Sequence, residues 1–432
     1  MNMHTNRANT DTETKLVEIY DRLGASLPGD GAVAAAREDA ITAFKEFGLP
    51  TRRVEAWHYT DLRVLMREAY EPAAKPDVVD AEKALDSYEW LSGIIRLPIV
   101  NGHYFPELAK EVPEAVIVSS LCEGESAFID GSLEADNAIY ILNTAFATDG
   151  LSMIVDEGET VDETIGIANV FTGDESAMSS ARNNIVVCDG AVCSFSERHV
   201  GPAGLAYTAT RVTNLWLGVG AKARWVIVQE EGDMATHLGQ LNVTLGEKSE
   251  LEIYMVNTGG KLVRSEINVV VAGEYSSLKI RGVNLVGNDN HVDVTTVLKH
   301  NVPNTDSSQV FRNVATDRGN GVFQGQIQVA QIAQKTDAAM ACNTLLLSDE
   351  CGFSAKPELE IFADDVLCAH GATIADLEES HLFYMMARGI PEKDARNLLI
   401  KAFLEEILDD MEDEKFAEAL ICRIDDWLDA RK

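Results

Sequence analysis

The feature that most limits what this chain can fold into is an internal repeat. From about residue 150, short β-branched runs alternate with Gly, Asn and Asp, and one pattern recurs four times. The copies read Asn184-Ile-Val-Val-Cys-Asp-Gly-Ala-Val-Cys-Ser-Phe, Asn214-Leu-Trp-Leu-Gly-Val-Gly-Ala-Lys-Ala-Arg-Trp, Asn242-Val-Thr-Leu-Gly-Glu-Lys-Ser-Glu-Leu-Glu-Ile and Asn268-Val-Val-Val-Ala-Gly-Glu-Tyr-Ser-Ser-Leu-Lys-Ile. The asparagines stand 30, 28 and 26 residues apart. Each unit is an Asn, a short apolar strand, a Gly-bearing turn and an alternating strand. Two short strands cannot bury their own apolar face. Stacked units bury a continuous core and pair each backbone edge with the next rung. The repeat therefore predicts a β-solenoid over residues 150–373. An antiparallel sandwich also shows regular turn signals, but it gives no reason for residue identities to recur. The repetition blurs after residue 290, yet Gln324-Gly-Gln-Ile-Gln-Val329 still alternates with the period of a half-buried strand, and Leu359-Glu-Ile-Phe-Ala363 does so less cleanly.

Both flanks read as helical, giving three regions: 1–149 helical or mixed, 150–373 solenoid, 374–432 helical. Ala36, Ile41, Phe44 and Phe47 recur at helical spacing before Gly48 and Pro50 end the run. At the other end, a helix from Leu377 should stop near Arg388 with Gly389 as its C-terminal signal. Pro391 should open the next, with Glu392 and Asp394 in its first turn. Ala395, Leu398, Leu399, Ala402, Phe403 and Ile407 suggest its buried stripe, and Phe416, Leu420, Ile424 and Trp427 that of a last helix. The acidic run Asp409-Asp-Met-Glu-Asp-Glu414 reads as a solvated loop.

Composition narrows the function classes. The net charge of −34 repels nucleic acid and anionic membranes. No apolar run is long enough to span a bilayer, and the first residues lack the apolar stretch of a signal peptide, so a cytoplasmic location is expected. The seven cysteines are odd in number and irregularly spaced, with no Cys-x-x-Cys pair. Such spacing argues against a disulfide framework, a zinc knuckle or a ferredoxin-type loop.

Catalytic motifs are missing. Gly260-Lys261 is followed by Leu262 where a phosphate-binding loop needs Ser or Thr, and neither a Gly-x-Ser-x-Gly elbow nor a His-Glu-x-x-His helix occurs. An ATP-driven step would need a separate protein. The most suggestive chemistry is Cys368-Ala369-His370. On a strand, residues two apart project from one face. A thiolate and an imidazole there are two ligands suited to iron or a cluster. They do not complete a site, and from spacing alone such a pair is more often a packed thiol beside a hydrogen-bonded histidine. Cys188 and Cys193 fall inside the repeat as expected core residues, and Cys342 and Cys351 read as structural. His291, His300 and His381 are isolated, and Trp57-His58-Tyr59 reads as a packing cluster between helix and loop.

The stretch Lys356-Pro-Glu-Leu-Glu-Ile-Phe-Ala-Asp-Asp-Val-Leu-Cys-Ala-His-Gly-Ala-Thr373 resembles the signature of the SufD family, a subunit of the SUF iron–sulfur cluster assembly machinery. Leu382-Phe-Tyr-Met-Met-Ala-Arg-Gly-Ile-Pro391 is similar to the C-terminal helical segment that SufD shares with its paralogue SufB. Glu55-Ala-Trp-His-Tyr-Thr60 and Asn101-Gly-His-Tyr104 also fit. Many relatives carry Lys at the position of Leu367 and Ser at that of Ala369, and neither departure touches the ligand pair. The resemblance implies a right-handed parallel β-helix core between helical ends. It also implies a non-catalytic scaffold role with SufB and the ATPase SufC, and iron or a transient cluster built at the SufB–SufD interface. Cys368 and His370 would contribute to that composite site, and Phe383, Tyr384, Arg388, Gly389, Ile390 and Pro391 to partner binding. The isolated chain would hold no stable cofactor and could pair with itself. The rival readings are a β-helix carbohydrate-active enzyme and a purely structural homodimer.

Overall fold

The computed structural model describes residues 8–29, 31–110, 112–122, 133–409, 411 and 413–431. Two long sheets face each other. One runs through Val116–Ser120, Leu151–Val155, Met178–Val187, Thr208–Leu217, Thr236–Leu245, Leu262–Val271, His291–His300, Asn320–Val329 and Gly352–Ile361. The other runs through His103–Tyr104, Ile94–Val100, Thr164–Val170, Val192–Val200, Lys222–Glu230, Glu250–Asn257, Ser277–Val286, Asp306–Ala315, Asp337–Leu346 and Leu367–Ala375. From Leu151–Val155 onward the chain crosses from sheet to sheet at every strand, so each strand pairs in parallel with the strand two further on, whereas His103–Tyr104 and Val116–Ser120 pair antiparallel with Ile94–Val100 and Leu151–Val155. This is the expected solenoid, of about eight turns.

The repeat is read directly in the register. Asn184 stands opposite Asn214, Asn214 opposite Asn242, and Asn242 opposite Asn268. Their amides bond in a column, Asn214 Nδ2 to Asn184 Oδ1 at 2.9 Å, Asn242 to Asn214 at 3.0 Å and Asn268 to Asn242 at 3.1 Å. A second column, not read from the sequence, lies inside the opposite sheet: Asn257 donates to Asn284 at 2.7 Å, Asn284 to Asn313 at 2.8 Å and Asn313 to Thr344 at 3.1 Å.

The glycines of the repeat do two different jobs. At the corners, Gly158, Gly190 and Gly220 have positive φ, and later rungs place Lys248, Tyr275, Asn304 and Lys335 in the same conformation. Each corner N–H bonds to the next rung, as Gly190 N does to Val219 O and Lys248 N to Glu274 O. Those stacked bonds over-determine a backbone shape that costs a non-glycine residue about 1 kcal/mol or more. Gly273 is needed for space instead, since a Cβ there would lie 2.0 Å from Glu247 N on the rung below.

The core between the sheets is aliphatic, built from residues such as Ile185, Leu215, Val243, Ile253, Ile280 and Ile327. Each outer face is covered differently. Helices Asp11–Leu23, Gly31–Phe47 and Ala138–Phe146 pack over the nine-stranded sheet, burying Met178, Val212, Leu238 and Leu262. Helices Glu392–Glu405 and Glu414–Asp429 pack over the ten-stranded sheet against Tyr254, Val256, Val283, Leu285 and Val314. The Glu379–Ala387 helix ends at the expected place, with Arg388 as its cap and Gly389 at φ 86°. The stripe on Glu392–Glu405 differs from expectation. Ala395, Ile400 and Leu404 are buried, whereas Leu398 and Ala402 are exposed. The helix has two apolar arcs, and only one faces the solenoid. Of the acidic run, Asp410 and Glu412 lie outside the described residues, and Asp413 caps the last helix by accepting from Lys415 N and Phe416 N.

Candidate functional site

The last strands of the two sheets, Gly352–Ile361 and Leu367–Ala375, have a neighbour on one side only. Their other edge presents unpaired backbone groups, the arrangement that recruits a further strand. Leu367–Ala375 carries Cys368 and His370, whose register partners on the rung beneath are Ala338 and Met340. Both partners are core residues, so the thiol and the imidazole share the core-facing side of the terminal rung. Among the described residues no further rung stacks over them. Cys368 is half-buried against the end of the core, beside Phe353, Ala355, Leu359 and Val366, while His370 is exposed. Burial and, second, the Asp337 carboxylate push the Cys368 thiol up, so it is protonated at neutral pH until something withdraws the proton. Asp306 lies opposite Asp337 in the same sheet, and burial and its neighbour raise its carboxyl too.

As a metal or cluster site this donor set is partial. Among the described residues no group of three or more His, Cys, Asp and Glu side chains could hold a metal ion. Cys368 and His370 are chemically suited to iron, but the remaining ligands would have to come across the open end.

A short connection after Leu367–Ala375 leads into the Glu379–Ala387 helix, of whose residues only Leu382 is buried. Phe383 is 75% exposed and Tyr384 58%, with the Arg388 guanidinium 4.9 Å from the Tyr384 ring centroid. Met386 and the outward arc residue Leu398 are exposed as well. Gly389, Ile390 and Pro391 make the turn that sets the two helices against each other. Four large apolar side chains exposed in one short segment are more than scattered surface residues need.

The N-terminal motif has a structural role. Trp57 is fully buried, donates from its indole to Asp136 O at 2.7 Å, and lies under Arg264, whose guanidinium is 4.1 Å from the ring centroid. Arg264 also pairs with Glu266 at 2.8 Å and Asp293 at 2.5 Å. Thr60 bonds to Asp293 and to His291 Nε2. The motif therefore docks on the outer face of the sheet, and its Trp57 joins the core that the N-terminal helices form there, as the packing-cluster reading expects. A buried Arg on a strand is the signal that such a motif docks there. Asn101 and Gly102 form a left-handed two-residue turn.

The other candidates resolve plainly. All seven cysteines are free. Cys193 and Cys342 are core residues whose thiols burial pushes up to about 12. Cys188 is only half-buried, because it sits where its strand turns into the corner. His291 and His300 are buried and hydrogen-bonded, and His381 is exposed on its helix.

A family model described as the SUF system FeS cluster assembly SufBD core domain matches residues 170–403, and one for the SufBD protein N-terminal region matches residues 11–167. The chain is similar to the iron–sulfur cluster assembly protein SufD of Escherichia coli K12, with 28% identity over 385 residues, covering 87% of this chain and 89% of that protein. An iron–sulfur cluster assembly SufBD family protein of Synechocystis is 26% identical over 418 residues, 93% of this chain and 92% of its own length. The chloroplastic protein ABCI7 of Arabidopsis thaliana is 27% identical over 405 residues, 90% and 85% of the two chains.

Proposed function

The chain belongs to the SufBD family of SUF-system iron–sulfur cluster assembly proteins, and on that premise we propose that it is a non-catalytic, cytoplasmic scaffold subunit of the SufD type. It pairs through the open end of its solenoid with a SufB-type subunit and docks a SufC-type ATPase on its C-terminal helices. The observation that carries the reading is the terminal rung. Its edge is unpaired, its core-facing side bears Cys368 and His370, and an exposed apolar helix follows it in the chain. An end-on partner would pair the edge, cover the apolar residues and supply the missing ligands in one contact.

Iron, sulfide or a nascent cluster is cargo in this scheme. His370 offers an exposed imidazole as a ligand. Cys368 offers a thiol that becomes a ligand on losing its proton to metal binding. No helix of the described residues is long and apolar enough to cross a membrane, which fits a cytoplasmic assignment. The division into 1–149, 150–373 and 374–432 is part of the proposal, testable by limited proteolysis of the isolated chain.

The deciding experiment is anaerobic co-expression with SufB and SufC homologues, followed by subunit, iron and sulfide analysis of the purified material. A complex containing all three subunits, with iron and sulfide that depend on this chain, is expected. Failure of this chain to purify with either partner would refute the scaffold reading.

A further inference from the structure

The solenoid core is largely aliphatic, but one part of it gathers buried charge. Between the Val192–Val200 and Lys222–Glu230 strands on one side and the Thr208–Leu217 and Thr236–Leu245 strands on the other, five ionisable side chains are buried: Glu197, His199, Arg211, Glu231 and His237. His199 Nε2 is 3.4 Å from Glu197 Oε1, and His237 Nδ1 is 2.7 Å from Glu231 Oε2. The two imidazole rings meet edge to face with centroids 4.8 Å apart. Trp225 Nε1 donates to the other oxygen of Glu197 at 3.1 Å. Arg211 bonds to Ser179 O, Ser179 Oγ and Asn169 Oδ1.

This level also encloses a cavity of about 30 Å³, lined by Glu197, His199, Arg211, Thr213, His237 and Ser265 among others. His199 lines it, and its Nδ1 is buried without a hydrogen-bond partner. Gly239 keeps room beside the cavity, since a Cβ there would lie 2.6 Å from His237 Nε2. A polar cavity above roughly 10–15 Å³ with two or more polar partners holds water, whereas an apolar one stays dry. A metal ion fits less well, because the Arg211 guanidinium already supplies positive charge to the two glutamates and no three ligands converge here.

We propose that this cavity is an internal solvent site, holding one or two exchangeable waters on His199 Nδ1, and that it makes this level an acid-sensitive point of the solenoid. The groups facing His199 account for the second half. Glu197 lies on its own strand, Arg211 and His237 belong to the opposite sheet, and Asn169 and Gln229 come from the neighbouring rungs, while Glu231 and Tyr207 act on Arg211. A proton on His199 places a positive charge beside the Arg211 guanidinium and the His237 ring in a buried site. Burial, then His237 and Arg211, hold the His199 imidazole well below its ordinary range. The unfolded chain therefore takes up a proton near pH 6.5 that the native chain refuses, and native stability at this level falls as pH drops below that value.

Two measurements test this on the full-length protein. A crystal structure that orders solvent should show water within hydrogen-bond distance of His199 Nδ1, and a dry cavity would overturn the proposal. Hydrogen exchange at pH 7.5 and 5.5, corrected for intrinsic rates, should show roughly ten-fold lost protection in Val192–Val200 and Thr236–Leu245, beyond any change in the Gly31–Phe47 helix, which carries no histidine. His199→Gln keeps hydrogen-bonding capacity but cannot titrate, so it should remove the local loss. An unchanged local loss in His199→Gln, or uniform exchange in the wild-type chain if that variant does not fold, would refute the acid-sensitive role.

Discussion

At the scale of single residues, the terminal rung separates two roles that sequence spacing leaves merged. His370 is exposed and can ligate without moving the core, whereas Cys368 packs against it. His370→Ala should therefore leave fold and subunit ratios intact while cluster formation in the reconstituted complex falls at least about ten-fold, the loss expected for one ligand. Cys368→Ser should cost less, or nothing if the thiol only packs. Normal assembly rates with His370→Ala would return that residue to an ordinary interface histidine. A second residue-scale expectation concerns His300, held between Thr305 Oγ1 at 2.8 Å and Ser307 Oγ at 3.0 Å, with its pKa lowered to about 4 by burial. The unfolded chain protonates this side chain near pH 6.5 and the native chain only near 4. Its contribution is thus complete above 6.5 and lost as pH falls toward 4, on the order of 3 kcal/mol. In urea titrations from pH 8 to pH 4.5, His300→Gln should start less stable but show a shallower decline. A parallel decline would contradict the assignment.

At the scale of elements, the solenoid rests on columns that each rung extends by one residue. Asn214 is the middle of such a column, donating to Asn184 and accepting from Asn242. Asn214→Leu removes both bonds and strands the Asn184 acceptor and the Asn242 donor on a half-buried face. The expected cost is about 2–3 kcal/mol in equilibrium unfolding. Asn268→Leu, at the end of the column with one such bond, should cost roughly half as much. Equal and negligible costs at both positions would mean that the amides are solvated alternates and carry no column. The same logic explains why Lys248 and Tyr275 occupy left-handed corners. Neighbouring rungs dictate the backbone there, so the residue's own preference is overridden.

At the scale of the whole molecule, the C-terminal helices are both cover and docking surface. Removing them would bare Tyr254, Val256, Val283, Leu285 and Val314, so truncation cannot separate lost binding from lost solubility. A point change on the outward side can. Phe383→Glu, at a side chain 75% exposed, should leave the melting temperature within about 2 °C of wild type while reducing recovery of the partner subunits in pull-downs. Undiminished recovery would remove this helix from the interface. The repeat, its period and its Asn positions determined the solenoid from sequence alone, because a ladder needs the same residue at each rung and therefore prints itself on the chain. The helical ends were legible through their stop and start signals at Gly389 and Pro391. Tertiary structure alone decided the rest. The inner Asn257-Asn284-Asn313 column was hidden because its neighbours vary, and the buried charges at Arg211, Glu197 and Glu231 come from separate rungs. Whether Cys368 and His370 meet solvent or core depended on which rung is last, and a periodic pattern specifies how rungs stack but not where stacking stops.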